Sequence, residues 1–87
     1  MKIVDDIKEI LSNHYDQMEI YDLIGQLEND EDDMSFATQG NEMNVVFTND
    51  GYEIEVNFTT EYNVNSGYIK VTKDEDLKEM IPFKYEV

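Results

Sequence analysis

Cysteine and arginine are both absent from this 87-residue chain, and histidine occurs only once. Without cysteine, the chain forms no disulfides and carries out no thiol chemistry. Without arginine, and with only six lysines, it lacks the planar bidentate clamps that phosphate or carboxylate substrates require. These absences argue against most classes of enzyme, and we expect the chain not to be one.

Glycine is sparse, and its four copies are isolated from one another. None of Gly25, Gly40, Gly51 and Gly67 begins a Walker-type loop or a dinucleotide-binding fingerprint. His14 falls on the apolar stripe of the first predicted helix, without a second histidine or a Gly-x-Ser-x-Gly elbow to form a catalytic group. We interpret it as a partly buried histidine at a helix end, and we expect no cofactor.

Long hydrophobic runs are missing as well. The longest contain two or three residues, far fewer than the roughly 20 that a transmembrane helix needs. Residues 1–11 carry three acidic side chains and two lysines, instead of the apolar stretch of a signal peptide. We therefore expect a cytoplasmic protein that makes no membrane contact.

Negative charge is what the sequence has in excess. Its 21 acidic residues face six lysines, which gives a formal net charge of -15. This exceeds the magnitude of about 2–8 that solubility calls for in a small domain, and self-repulsion on this scale destabilises the folded state. Nucleic acid and anionic membranes would repel such a chain, whereas a basic protein surface would attract it and accelerate the encounter. We therefore expect the charge to serve the function.

Length and patterning indicate one folded domain that spans residues 1–87. A domain this short buries only about 60% of its unfolded surface, so the margin of stability is thin. High charge with low hydropathy is also typical of disordered chains. However, ten aromatic residues are spread along the sequence, and the apolar residues follow the periods of helices and strands. The chain is therefore expected to fold.

Two helices are predicted near the N-terminus. In residues 2–14, apolar side chains recur every three or four positions, as on one face of a helix. A second helix is predicted over residues 16–28, where Asp16 followed by Glu19 resembles a capping box. Gly25 inside this second helix costs roughly 1 kcal/mol relative to alanine.

From Met34 onwards, the apolar period changes to two, which is typical of strands. Asp50-Gly51 is suited to a two-residue type I′ turn, which would set Phe47 opposite Ile54 and Val45 opposite Val56. A slip of one residue would move every apolar side chain to the wrong face of the sheet. The sequence therefore predicts this hairpin together with its register.

The remaining segments are less regular. We predict a turn at 65–67, a strand at 68–72, a short helix or helical turn at 74–80 and a terminal strand at 83–87, with 34–38 as a further edge strand. This order predicts an α+β fold. Two N-terminal helices would pack on an antiparallel β-sheet of about four strands, with a short helix before the last strand.

Three acidic clusters are candidates for binding a basic partner: the 28–33 run, the outer face of the predicted hairpin, and the predicted helical turn. A single acidic cluster is more often a solvated surface than a binding site. On a strand, however, side chains two residues apart stand about 6.6–6.8 Å apart on one face. Carboxylates at such intervals offer a basic groove a pattern similar to that of phosphates. The candidate residues are Glu28, Asp30, Glu31, Asp32, Asp33, Glu53, Glu55, Asp74, Glu75 and Asp76.

Tyrosines are candidates for apolar anchors in the same contact, because exposed tyrosine is typical of interface hot spots. We expect Tyr15, Tyr21, Tyr62 and Tyr68 to be exposed.

The same carboxylates leave a divalent-cation-binding module as an alternative of another class. The 28–33 run, however, does not fit an EF-hand. Counted from Asp30, the loop has Ser35 where glycine is needed and Asn41 where the bidentate glutamate belongs. We therefore assign no metal ligand.

In size, charge, lack of cysteine and lack of catalytic motifs, the chain resembles the small acidic inhibitors of phages and mobile elements, which include DNA mimics and anti-CRISPR proteins. This resemblance is one of composition and architecture, and no sequence motif carries it. It implies an inhibitor that binds the basic nucleic-acid-binding surface of a target enzyme, with a CRISPR-Cas effector as the favoured target. Such a protein blocks DNA or RNA access without binding nucleic acid itself. Immunity and nuclease-inhibitor proteins, which plug a basic active site, are similarly acidic and remain the close alternative.

Overall fold

The computed structural model of this protein describes residues 1–27 and 34–87, and these residues form two layers. Two helices are followed by five strands, and all five strands pair antiparallel in the order of the chain. Both helices pack on one face of the sheet. The predicted α+β class is confirmed. The elements are α1 (Lys2–Asn13), α2 (Gln17–Gly25), β1 (Met34–Gln39), β2 (Glu42–Asn49), β3 (Tyr52–Glu61), β4 (Val64–Lys73) and β5 (Asp76–Glu86).

The two helices begin close to where the sequence predicts. Asp16 caps α2 by accepting hydrogen bonds from the backbone N–H groups of Met18 at 2.9 Å and Glu19 at 3.1 Å, as the capping pattern indicated. α2 ends at Gly25, before the predicted boundary at 28. The N–H of Gln26 is shared between the carbonyls of Asp22 and Leu23, and the N–H of Leu27 donates to the carbonyl of Ile24, three residues back, as in the tightened last turn of a helix. Within the described residues, no helix is long and apolar enough to span a bilayer.

The predicted hairpin is confirmed in both its turn and its register. Asp50 and Gly51 have φ values of 55° and 82°, as a type I′ turn requires. Phe47 lies opposite Ile54, and Val45 lies opposite Val56. Alternating apolar side chains therefore set this pair of strands, as expected.

The predicted helix at 74–80 is wrong. Asp74 and Glu75 form a two-residue turn with φ values of 53° and 68°, and β5 begins at Asp76. The pairing of β4 with β5 contains a bulge, because Val71 faces Glu79 whereas Thr72 faces Leu77. The extra residue breaks the strict alternation of the strand. Apolar residues at 77, 80 and 81 therefore imitate the three- and four-residue spacing of a helix.

The predicted turn at 65–67 is also wrong. The chain turns earlier, at Tyr62 and Asn63, with φ values of 53° and 60°, and β4 runs straight through Gly67. Glycine is required there because a Cβ atom at this position would lie 1.9 Å from the Asn57 carbonyl oxygen. With β1 present as an edge strand, the sheet has five strands instead of about four.

The hydrophobic core lies between the helices and one face of the sheet, and the other face has no covering layer among the described residues. Its buried apolar side chains are Ile3, Val4, Ile7, Leu11, Ile20, Ile24, Met43, Val45, Phe47, Ile54, Val56, Phe58, Ile69, Val71 and Phe83.

Asn65 is the polar side chain buried within this core. Its amide nitrogen donates to the backbone carbonyl of Leu11 at 2.7 Å and to that of His14 at 2.5 Å. These are carbonyls at the end of α1, where helices leave their last C=O groups without intrahelical partners. Asn65 therefore fastens the end of α1 to β4.

Candidate partner-binding surface

Positive charge is confined to a few elements of the fold. Lys2 and Lys8 lie in α1, and the other four lysines lie in β4 and β5. Between residues 9 and 69, the sequence contains neither lysine nor arginine. α2, β2 and β3 therefore carry carboxylates with no cation of their own, and β1 carries neither.

Ion pairs neutralise few of the carboxylates. Between residues of the described ranges, Lys2 Nζ lies 3.2 Å from Asp6 Oδ2, and His14 Nδ1 lies 3.4 Å from Glu19 Oε1, which is an ion pair only when the histidine is protonated. Each pair joins a side chain that is more than half exposed to one that is 33% exposed, and such pairs near the surface contribute about 0–1 kcal/mol. Most carboxylates of the described residues therefore form no ion pair within the chain.

The three acidic clusters predicted from sequence have different outcomes. The first, which comprises Glu28 and Asp30 to Asp33, lies outside the described residues. The second is split between Glu53, which is exposed, and Glu55, which is half-buried. The third is not helical, because its residues 74–76 form a turn and the start of β5.

The fold joins parts of the second and third clusters at one end of the sheet. The β2–β3 turn and the β4–β5 turn lie at the same end of the sheet, because they are the second and fourth turns of an antiparallel meander, whose turns alternate between its two ends. They are separated by two strand spacings, about 10 Å. We call the exposed carboxylates at this end of the sheet the acidic end: Asp50, Glu53, Asp74, Glu75 and Asp76.

Asp50 was not among the residues predicted to bind a partner. In the sequence it is the first residue of a tight turn, and that role accounted for it fully. Its place beside residues 74–76 depends on the order of the strands. The sequence did predict the β2–β3 hairpin that contains Asp50. The second and fourth turns of a meander lie at the same end of the sheet, so the hairpin was the available signal.

Lys73 is the lysine nearest to the acidic end along β4, and it is directed to a different partner. Its Nζ atom lies 4.7 Å from the centroid of the Tyr52 ring, in a cation–π contact. Among the described residues, it forms no ion pair with the carboxylates of the adjacent turn. Within the described residues, none of the five carboxylates forms an ion pair.

Glu55 differs from Glu53 because it belongs to a hydrogen-bonded network on the open face of the sheet. Tyr68 donates its hydroxyl proton to Glu55 Oε2 at 2.6 Å, and Lys70 lies directly opposite Glu55 on β4. The hydrogen bond to Glu55, together with burial and nearby carboxylates, raises the pKa of Tyr68 above its ordinary value of 10.0. The two carboxylates, predicted to lie on one face of the hairpin, therefore differ in their surroundings.

The tyrosines also differ from expectation. Tyr62 is fully exposed at the tip of the β3–β4 turn, with 88% of its surface accessible. Tyr15, Tyr21 and Tyr68 are half-buried, and the ring of Tyr21 packs 4.2 Å from that of Phe36. Of the four candidate anchors, Tyr62 alone is presented freely to solvent.

His14 has the surroundings predicted for it. It is half-buried at the C-terminal end of α1, beside a surface depression lined by Asp6, Glu9, Ile10, Asn13 and Leu27. Within residues 1–27 and 34–87, no three of the histidine, aspartate and glutamate side chains come together as a metal site.

Comparison of the chain with family models, curated proteins and solved structures found no match.

Proposed function

We propose that this protein is an acidic inhibitor that binds the basic nucleic-acid-binding surface of a target enzyme and blocks access of DNA or RNA. The observation that carries the proposal is the acidic end, where two hairpins of the sheet present exposed carboxylates together. The neighbouring Lys73 contacts the Tyr52 ring, and within the described residues it forms no ion pair with them.

The physical argument is competition for the same side chains. A protein that binds nucleic acid offers lysine and arginine to neutralise phosphates, and carboxylates on rigid strands and tight turns bind the same groups. Binding would also relieve the self-repulsion of a chain with a net charge of -15. The protein would bind its target in the cytoplasm and would not bind nucleic acid.

The choice of target rests on the resemblance to small acidic inhibitors of phages. For that reason we propose a CRISPR-Cas effector, whose guide and target strands lie in positively charged channels. The acidic end would occupy part of such a channel.

Displacement of labelled DNA or guide RNA from purified effectors, followed by fluorescence anisotropy, tests this proposal. We expect the protein to displace the nucleic acid. We expect its apparent affinity to fall as salt rises from about 50 to about 300 mM, because salt screens the attraction between opposite charges. The triple variant Glu53→Gln, Asp74→Asn, Asp76→Asn should bind about tenfold more weakly, because each lost rim charge costs roughly 0.5 kcal/mol. Asparagine is used at 74 because it tolerates the positive φ of this turn.

The matched control is the triple variant Glu9→Gln, Glu61→Gln, Glu86→Gln, which removes the same charge from exposed positions elsewhere. It should bind within about threefold of the unmodified protein, since only the general field is reduced. Displacement that does not depend on salt, or equal loss in both triple variants, would show that the acidic end is not the binding surface.

A further inference from the structure

The two edges of the sheet are built differently. β5 is eleven residues long and contains lysines, glutamates, a bulge and Pro82. β1 has the sequence MSFATQ, with neither charge nor proline, and residues 35–39 are all exposed. Natural sheets normally protect an edge with charges, proline or bulges, because its unpaired N–H and C=O groups invite another strand.

Pro82 lies at a position of β5 whose backbone N–H would otherwise be available to another strand. The N–H of Val87 donates to the carbonyl of Asn63 at 2.8 Å, so the backbone N–H and C=O groups of residue 87 point toward β4. The direction of these backbone groups alternates along an antiparallel strand. The N–H and C=O positions of residues 86, 84 and 82 therefore point outward, away from β4. Pro82 therefore removes a donor from the middle of the outward row, where another strand would pair.

β1 has no such device. Gly40-Asn41 is a two-residue turn, so the flanking pair of Gln39 and Glu42 is hydrogen-bonded. Alternation then directs the N–H and C=O groups of Met34, Phe36 and Thr38 away from β2. These three residues form a row of donors and acceptors along the edge.

The helix α2 runs antiparallel beside this edge. The Gly25 end of α2 lies against the side chain of Met34, the Tyr21 ring contacts Phe36, and Gln17 donates to the carbonyl of Asn41. A strand added to β1 would therefore lie between solvent and the flank of α2. That flank combines the half-exposed Met18 with the carboxylate of Asp22.

We propose that β1 receives an extended segment of the partner protein, which becomes a sixth strand of the sheet. Backbone hydrogen bonds to residues 34, 36 and 38 would supply the pairing, and lysine or arginine side chains of the segment would meet the carboxylates of α2. The basic character of the segment rests on the proposed function as well as on these charges. A second copy of the chain fits less well, because each copy has a net charge of -15, and pairing would bring two cation-free α2 helices together.

A defined probe tests strand addition without knowledge of the target. The probe is the blocked peptide Lys-Thr-Lys-Val-Lys-Thr-Lys, titrated into the ¹⁵N-labelled full chain. We expect the amide signals of Phe36 and Thr38 to shift and their hydrogen exchange to slow severalfold. A peptide of the same sequence, N-methylated at alternate residues on its pairing edge, keeps the charge but loses the donors. It should leave these two amides unchanged.

Two variants of the chain sharpen the test. Thr38→Pro removes an outward donor and leaves the β1–β2 ladder intact, so it should abolish the changes at Phe36. Thr38→Val retains the donor and should preserve them. If both peptides shift only the acidic end, strand addition is refuted while the proposed attraction to basic partners stands. If neither peptide shifts any signal, the proposed function fails as well. A dimer in sedimentation that Thr38→Pro dissociates would replace the basic segment with a second copy.

Discussion

Replacement of Asn65 tests whether a buried side chain fastens α1 to β4. Its amide nitrogen donates to the carbonyls of Leu11 and His14, and the residue has no accessible surface. Its amide oxygen has no partner among the described residues. The favourable interactions of Asn65 are therefore those of a donor, and substitutions that remove the donor measure them.

The magnitude follows from the two hydrogen bonds. Each contributes roughly 1–1.5 kcal/mol net, and Asn65→Ala also leaves a small cavity. We expect a loss of about 3 kcal/mol, a large part of the 5–15 kcal/mol typical of a domain. The midpoint of thermal unfolding should fall by about 12–24 °C, at 4–8 °C per kcal/mol for this size.

Asn65→Asp should be worse than Asn65→Ala at neutral pH, because a buried carboxylate would face two carbonyl oxygens with no donor. Burial raises the pKa of such a carboxyl in the folded state above the unfolded value of about 3.9. Its penalty is therefore present above the folded pKa and disappears as pH falls toward about 4. The difference between the two variants should shrink in that range.

Urea unfolding followed by circular dichroism, at pH 7 and at several lower values, measures both effects. Asn57→Ala is the matched control, because Asn57 is half-buried on the open face and donates to Asn44 at 3.3 Å. It should cost under about 1 kcal/mol. A cost below about 1 kcal/mol for Asn65→Ala, or equal stability of the aspartate and alanine variants at pH 7, would refute the assigned role.

Three further predictions follow from the sheet. Gly67→Ala should cost about 3 kcal/mol or more in urea unfolding, because its Cβ would lie 1.9 Å from the Asn57 oxygen; a variant of normal stability would contradict this clash. Tyr68→Phe should cost about 1 kcal/mol at pH 7 through loss of the hydrogen bond to Glu55. The raised pKa of Tyr68 means that this stabilisation is complete below about pH 10 and disappears as pH rises through the folded pKa, so the cost should diminish there; a constant difference between pH 7 and 11 would oppose it. Pro82→Thr restores an outward donor on β5 and should promote self-association in sedimentation at high salt, where charge repulsion is screened. Pro82→Ala tests whether the restored donor alone is sufficient for self-association. A strictly monomeric Pro82→Thr variant would argue against a blocking role of Pro82.

The candidate surface was predicted in part. The sequence indicated residues 74–76 and Glu53 as acidic positions, and all of them are exposed. It did not indicate Asp50, and it did not distinguish the half-buried Glu55 from the exposed Glu53. A side chain's availability depends on its neighbours on adjacent strands, such as Tyr68 opposite the Glu55 region, and those neighbours are distant in the sequence.

Local information was sufficient for the N-terminal helices and the β2–β3 hairpin. Asp16 caps α2 through backbone groups only two and three residues away. The Asp50-Gly51 turn and the alternation of apolar and polar residues on either side of it determine the register of the hairpin. A slip of one residue would turn the apolar side chains away from the core. The absence of arginine and cysteine, and the charge of -15, likewise belong to the sequence alone.

Only tertiary pairing decided the C-terminal part. Residues 76–81 have the apolar spacing of a helix, and they form a strand because β4 offers a complete ladder along which a bulge absorbs the irregular spacing. The same pairing brings the β4–β5 turn beside the β2–β3 turn and so assembles the acidic end. Local propensity contributes tenths of a kcal/mol per residue, whereas pairing with β4 provides backbone hydrogen bonds and burial of Phe83 at once.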